Sequence, residues 1–210
     1  TLMPDVQVKI GEDGEILVKG KTVCSGYYKK PEINANSFID GWFRTGDAGK
    51  LVDGKHLYMT DRLKDLFKTS NGKYIAPQQI ETILGGDVFI EQVAVIGNNR
   101  NFVTAIIAPN LEAIKGYAAQ NNITYELVDE LMEHPQICKM MEERIAELQK
   151  DMAPYEKIKK FRLIKRGFTI ESGELTSTLK LRRAVILQNY AAMIEEMYNP
   201  VKGPLGGYAK

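Results

Sequence analysis

Apolar and polar positions alternate through the first sixty residues, and after that apolar positions recur at helical spacing. Val6-Gln7-Val8-Lys9-Ile10 and Ile16-Leu17-Val18 flank the turn Gly11-Glu12-Asp13-Gly14, the period and composition of paired strands. Leu51-Val52, Asp53-Gly54 and Leu57-Tyr58-Met59 predict a hairpin with a type I′ turn, because Asp-Gly accepts positive φ at both central positions. Pro31 to Phe38 reads as a helix with its proline in the first turn. These strands read as part of a larger sheet whose other strands lie outside the chain.

From Asp61 the pattern becomes strand and helix in alternation. Asn71-Gly72 marks a second hairpin turn, and Pro77 opens a helix with Ile80, Ile83 and Leu84 on one side. Strands are expected at Val93 to Ile96 and Val103 to Pro109, with Asn98-Asn99-Arg100-Asn101 turning between them. Helices follow at about 110–121, 125–132 and 135–152. The last carries Ile137, Met141, Ile145, Leu148 and Met152 as an apolar stripe. Phe161 to Ile164 predicts a strand, and about 180–198 one continuous helix with Ile186, Tyr190, Met193 and Met197 on its inner face. The cluster Gly203-Pro204-Leu205-Gly206-Gly207 ends the pattern as a flexible tail. The fold class is α+β: a strand-rich region at 1–60, a domain with a mixed sheet flanked by helices at 61–200, and the tail at 201–210.

Composition excludes more than it assigns. Lys plus Arg number 28 against 27 Asp plus Glu, so no global field points to nucleic acid. The basic runs Lys157 to Lys160 and Arg182-Arg183 lack interleaved aromatics, so nucleic-acid binding is set aside. Gly20-Lys21-Thr22 has the wrong glycine spacing for a phosphate loop. No apolar run approaches the ~20 residues of a membrane span. Cys24 and Cys138 fit no metal site and agree with a reduced, cytoplasmic setting. Two histidines, His56 and His134, give little basis for a histidine triad. A chain beginning with Thr1 reads as part of a longer protein.

Four constellations carry candidate chemistry. In Arg44-Thr45-Gly46-Asp47 a carboxylate after a Thr-Gly turn can accept hydrogen bonds from vicinal hydroxyls, the geometry of a ribose; the plain alternative is an Asp capping a turn. In Asp61-Arg62-Leu63-Lys64 strand alternation sends Arg62 and Lys64 to one side, which alone could be a solvated sheet edge. In Lys68 to Lys73 the Asn71-Gly72 turn lets backbone approach a ligand where no Cβ intrudes, though any hairpin would have it. Lys180 closes the hydroxyl-rich run Leu175-Thr176-Ser177-Thr178-Leu179 just before a helix. Helix N-termini disfavour cations, so its place there fits a point charge reaching for an oxyanion.

Together these segments resemble the adenylate-forming enzymes, which include acyl-CoA synthetases, luciferases and peptide-synthetase adenylation domains. The resemblance runs from about Gly14 to Arg183 and includes Gly26-Tyr27-Tyr28-Lys29-Lys30-Pro31. Most members carry Gly before the last lysine. Leu179 in its place resembles the long-chain fatty acyl-CoA synthetase branch. The resemblance implies that residues 1–60 end a large N-terminal adenylation domain and 61–200 form a mobile lid. It implies that Asp47 and Arg62 bind the nucleotide, Lys64 is the hinge, Gly72 and Lys68 form the CoA-side loop, and Lys180 is the catalytic lysine. Nothing matches the phosphate loop or acyl tunnel of that N-terminal domain, its partner in the same chain.

The implied reaction joins fatty acid, ATP and CoA through an acyl-adenylate, releasing AMP and pyrophosphate. Mg²⁺ ligands are expected in the missing domain and none in this chain. The segment alone is expected to be inactive. Peripheral membrane contact is left open. Two alternatives stand: another adenylate-forming ligase, acting on aryl or medium-chain acids, and a non-catalytic lid or interaction module.

Overall fold

The computed structural model describes residues 3–199, and for Asp61 and Lys64 the backbone but not the side chains. The tail predicted at 201–210 lies outside the described residues. The chain divides into two compact units, Thr1–Phe67 and Lys68–Lys210.

The first unit is a five-stranded antiparallel sheet. It is built from β1 (Val6–Ile10), β2 (Glu15–Gly20), β3 (Phe38–Ile39), β4 (Trp42–Val52) and β5 (His56–Arg62), in the order β1-β2-β4-β3 with β5 also on β4. Helix α1 (Pro31–Ser37) carries its proline in the first turn. The β4–β5 hairpin closes as expected: Asp53 and Gly54 have φ of +53° and +66°, the pair of left-handed residues a type I′ turn requires. The Thr-Gly step, expected as a turn, instead lies inside the long strand β4. Leu17 pairs with Arg44 and Glu15 with Ala48, so β4 carries extra residues as a bulge around Gly46, at φ +72°. The bulge turns Asp47 without ending the strand.

The second unit has a three-stranded mixed sheet, β8 (Ile90–Ile96), β9 (Val103–Pro109) and β10 (Ile158–Leu163), in the order β10-β9-β8. β9 runs antiparallel to β8 and parallel to β10. As the central strand it is buried at all seven positions, which is why its sequence reads as an unbroken apolar run. A two-stranded hairpin, β6 (Phe67–Lys68) and β7 (Tyr74–Ile75), leads into α2 (Pro77–Leu84). Helices α3 (Leu111–Gln120), α4 (Val128–Glu133) and α5 (Pro135–Leu148) fill the segment between β9 and β10. Ile137, Met141 and Ile145 form the buried stripe of α5.

Two expectations are corrected here. The long helix ends at Leu148 instead of 152, because Gln149 turns inward and pairs both its amide groups with the backbone of Ile158. The last helix is two: α6 (Arg183–Asn189) and α7 (Ala191–Tyr198), broken at Tyr190. The break lets both helices contribute to one core, in which Ile186, Ile194 and Met197 meet Ala94, Ile96, Ile106, Ala108, Ile164, Phe168 and Leu175. Truncating Ile106, which is fully buried, to Ala would cost about 2–5 kcal/mol through lost burial and the cavity left behind.

Candidate functional site

In the first unit the bulge in β4 is held by Glu15, a carboxylate at the start of β2 that is almost fully buried. One oxygen accepts from Arg44 Nε at 2.7 Å and the other from the Gly46 amide at 2.9 Å. Thr45 Oγ1 donates to the Ile16 carbonyl at 2.7 Å and accepts from the Asp47 amide at 3.1 Å. The Arg44-Thr45-Gly46-Asp47 segment is therefore braced on both sides, and Asp47 is presented rigidly. Sequence reasoning missed Glu15 because its partners stand about thirty residues away.

Asp47 pairs with Arg62 across the β4–β5 ladder, with Arg62 Nε 3.0 Å from Asp47 Oδ1. That oxygen is shielded from solvent and has no hydrogen-bond partner among the described residues. The Arg62 N–H is not aimed at that oxygen, so the contact is an ion pair without a hydrogen bond. A carboxylate that is 22% exposed and keeps acceptor capacity suits hydroxyl donors. A cavity of about 870 Å³ lies elsewhere in the unit, between Asp5, Lys19, Lys21, Cys24 and Phe38; none of the predicted site residues lines it.

Lys64 does not continue the strand. Leu63–Asp65 form a single 3₁₀ turn after Arg62, with the Leu66 amide donating to the carbonyls of Arg62 and Leu63 at 3.1 and 3.2 Å. The alternation expected to put Arg62 and Lys64 on one face ends at Arg62.

In the second unit, Gly72 has φ +78°, and its amide donates to the Thr69 carbonyl at 2.9 Å, as Thr69 does to Lys73. The turn rests on the β8–β9 connection: the Ser70 amide donates to the Arg100 carbonyl at 3.0 Å, Ser70 Oγ bonds Asn101 Oδ1 at 2.7 Å, and Asn71 Nδ2 donates to the Asn101 carbonyl. Lys68 is exposed, with Nζ 5.4 Å from the centre of the Tyr74 ring, a weak cation–π contact at the surface.

Lys180 stands exposed on a small closed loop. Leu175 and Leu181 bridge its base, the Thr176 amide donates to the Lys180 carbonyl at 2.8 Å, and the Lys180 amide donates to Thr176 Oγ1 at 3.1 Å. Leu179 takes φ +59°, a left-handed backbone that glycine adopts freely and L side chains seldom do. The helix begins three residues after Lys180, with Arg183 as its first residue.

Two ion pairs frame that loop. Glu174, just before it, is fully buried and receives both arms of Arg166 at 2.7 and 2.8 Å, Ser172 Oγ at 2.7 Å and Asn189 Nδ2 at 3.0 Å. The Arg166 hydrogen bonds hold its carboxyl down at about 2. Burial pushes the neighbouring Tyr190 phenol up. Just after the loop, Arg183 grips Glu81 of α2, with its second arm at 2.7 Å, and donates to the Val95 carbonyl at 3.1 Å. Glu81 in turn accepts from the Val95 amide at 2.8 Å, so the pair also caps the open edge of β8. Neither pair is visible as a sequence motif. Among the described residues, no cluster of His, Cys, Asp or Glu could hold a metal ion, and no helix is long and apolar enough to cross a membrane.

Residues 64–202 match the family described as AMP-binding enzyme C-terminal domain. The long-chain-fatty-acid–CoA ligase FadD15 of Mycobacterium tuberculosis is 34% identical over 198 residues, covering 94% of this chain and 33% of that protein. Long chain acyl-CoA synthetase 1 of Arabidopsis thaliana is 35% identical over 198 residues, covering 90% of this chain and 29% of that protein. Among solved structures, the A domain of a carboxylic acid reductase from Segniliparus rugosus, in complex with AMP and a co-purified carboxylic acid, matches with TM-score 0.64 and 28% identity, over 90% of this chain and 28% of that one. The chain thus spans about a third of the length of the curated relatives it matches. The family match takes in both the Gly72 hairpin and the Lys180 loop, and this chain belongs to the AMP-binding enzyme C-terminal domain family.

Proposed function

We propose that the chain supplies the nucleotide-binding strands and the lid of an AMP-forming long-chain fatty acid–CoA ligase, acting in the cytoplasm. In the first step a fatty acid carboxylate oxygen attacks the α-phosphorus of ATP, and the bond to pyrophosphate breaks. In the second, the CoA thiolate attacks the acyl carbonyl of the adenylate and AMP leaves.

The observation that carries this reading is the braced Asp47 facing Arg62 across β4–β5. Asp47 accepts from the ribose hydroxyls while Arg62 places a fixed positive charge beside them. Lys180, a point charge on a closed loop, stabilises oxygens at the α-phosphate and carboxylate as charge moves between them. Gly72 then offers bare backbone to the pantetheine arm of CoA, and Lys68 stands beside it. Lys64 is the pivot that exchanges the two faces of the lid. Mg²⁺ would enter with the ATP phosphates; the described residues offer no cluster to hold it, and no step here depends on one.

The relatives' names favour a long-chain fatty acid, and the carboxylic acid reductase neighbour, in complex with AMP and a co-purified carboxylic acid, supports a carboxylate as the acyl substrate. The test is Lys180→Ala in the full-length gene product. Exchange of labelled pyrophosphate into ATP, dependent on fatty acid, should fall roughly 10²-fold or more, as when one charge-stabilising donor is removed. Thioester formation from supplied acyl-adenylate should be largely spared. Equal loss in both steps would make Lys180 structural.

A further inference from the structure

We infer that the pair of Arg166 with the buried Glu174 is the positioning element that aims Lys180 during adenylate formation. This rests on the proposed role of Lys180, and the test below separates the two.

Glu174 is connected to each end of the segment that carries Lys180. Its carbonyl accepts from the Arg182 amide at 2.7 Å, closing the loop outside the Leu175–Leu181 bridge. Its amide, like that of Leu175, donates to the Thr169 carbonyl, at 3.1 and 3.0 Å. Its carboxylate reaches Asn189, the last residue of α6, at 3.0 Å. The helix that follows the loop is thereby fixed to the loop's base at its start by backbone and at its end by side chain.

The carboxylate is saturated: each oxygen takes one Arg166 arm and one neutral donor, Ser172 or Asn189. Such a forked contact has one geometry, although only the Glu174 side chain is fully buried and that of Arg166 is 48% exposed. Arg166 follows β10 on a segment tied to the sheet, since the Ile164 amide donates to the Ile107 carbonyl at 2.9 Å and Gln92 bonds the Phe168 backbone. A direct path therefore runs from the central strand through Arg166 and Glu174 to the loop. Lys180 itself has an exposed side chain, so the loop's backbone sets where its ammonium can go. A shift of about 1 Å in such a group can cost as much as 10²-fold in rate.

An alternative explanation is that the pair only stabilises the fold. That role predicts losses shared by both half-reactions and independent of Lys180. Positioning predicts losses that vanish once Lys180 is gone.

The experiment uses the full-length gene product with Glu174→Gln, Arg166→Met, Lys180→Ala and the double variant Glu174→Gln/Lys180→Ala. Fatty-acid-dependent pyrophosphate exchange and thioester formation from supplied acyl-adenylate are assayed below each variant's melting temperature. Glu174→Gln and Arg166→Met should each lower kcat for exchange roughly ten- to hundredfold, with KM for ATP little changed and thioester formation preserved. The double variant should be no slower than Lys180→Ala. Multiplied losses in the double variant, equal losses in both half-reactions, or unchanged exchange would each overturn the proposal. Should Glu174→Gln fail to fold, Ser172→Ala and Asn189→Ala remove one donor each and face the same criteria with smaller effects. If Lys180→Ala leaves exchange intact, the adenylation reading itself fails and this one with it.

Discussion

Asp47 and Arg62 stand directly opposite each other in the β4–β5 ladder, with Arg62 Nε 3.0 Å from Asp47 Oδ1. The arginine side chain is 60% exposed, so the pair contributes at most about 1 kcal/mol to stability. Its place is better explained by binding: the bulge at Gly46, fixed by Glu15, orients Asp47, and the hairpin brings Arg62 to it.

Asp47→Asn keeps the shape but loses the charge and an acceptor. In the full-length gene product kcat/KM for ATP should fall roughly ten- to hundredfold, the range expected for losing hydrogen bonds to a charged group. The melting temperature should stay close to that of the parent. A large drop in melting temperature with an unchanged KM for ATP would make Asp47 a structural residue.

Glu174 sets a pH dependence of stability. Its carboxyl, ordinarily near 4.5, is held at about 2 by Arg166 first, with Asn189 and Ser172 helping. The folded value lies below the unfolded one, so the stabilisation is complete above about 4.5 and is lost as pH falls from there toward 2. At neutral pH it amounts to about 3 kcal/mol. Chemical denaturation of parent and Glu174→Gln at several pH values should show a gap at pH 7 that narrows below about pH 4. A gap of constant size down to the acid limit would mean another group titrates.

Local chemistry made much of this fold legible. Asp53-Gly54 and Asn71-Gly72 mark their turns because the turn type demands residues that accept positive φ. Pro77 marks a helix start because it lacks only a donor that the first turn leaves unused. The apolar run of β9 marks a buried strand. What the sequence did not reveal depends on tertiary packing. The break at Tyr190 follows from two helices reaching one core, although the apolar spacing from Ile186 to Met197 is continuous. The end of the strand at Arg62 has no breaker residue to announce it. Lys180 stands out by charge and setting, whereas Glu15, Glu174 and Glu81 are ordinary acids until the fold supplies Arg44, Arg166 and Arg183.

Leu179 offers a test of backbone strain beside the candidate lysine. An L-residue in the left-handed region costs roughly 1–2 kcal/mol, and glycine returns about 0.5–1 kcal/mol of that as extra freedom in the unfolded chain. Leu179 is 69% exposed, so little packing is lost on replacement. Leu179→Gly should therefore hold or raise the melting temperature, while Leu179→Val, β-branched and poorly suited to positive φ, should lower it. The reverse order would show that the leucine side chain, and not the backbone, matters at this position.

The 3₁₀ turn at Leu63–Asp65 gives the pivot its own test. Proline at position 64 has a suitable φ but removes an N–H, and it pushes the preceding Leu63 out of the helical region toward extended geometry. The turn after Arg62 would be recast while β5 and the Gly72 hairpin remain. If Lys64 is the pivot, Lys64→Pro should hold the lid near its adenylating orientation. Pyrophosphate exchange should then survive within about tenfold, a loss of about 1.4 kcal/mol in transition-state stabilisation, while thioester formation from supplied acyl-adenylate collapses. Lys64→Ala, which leaves the backbone free, should support both steps. A solvated edge residue predicts something different: a lower melting temperature and similar losses in the two half-reactions. Thioester formation that persists in Lys64→Pro at normal stability would place the pivot elsewhere in the chain.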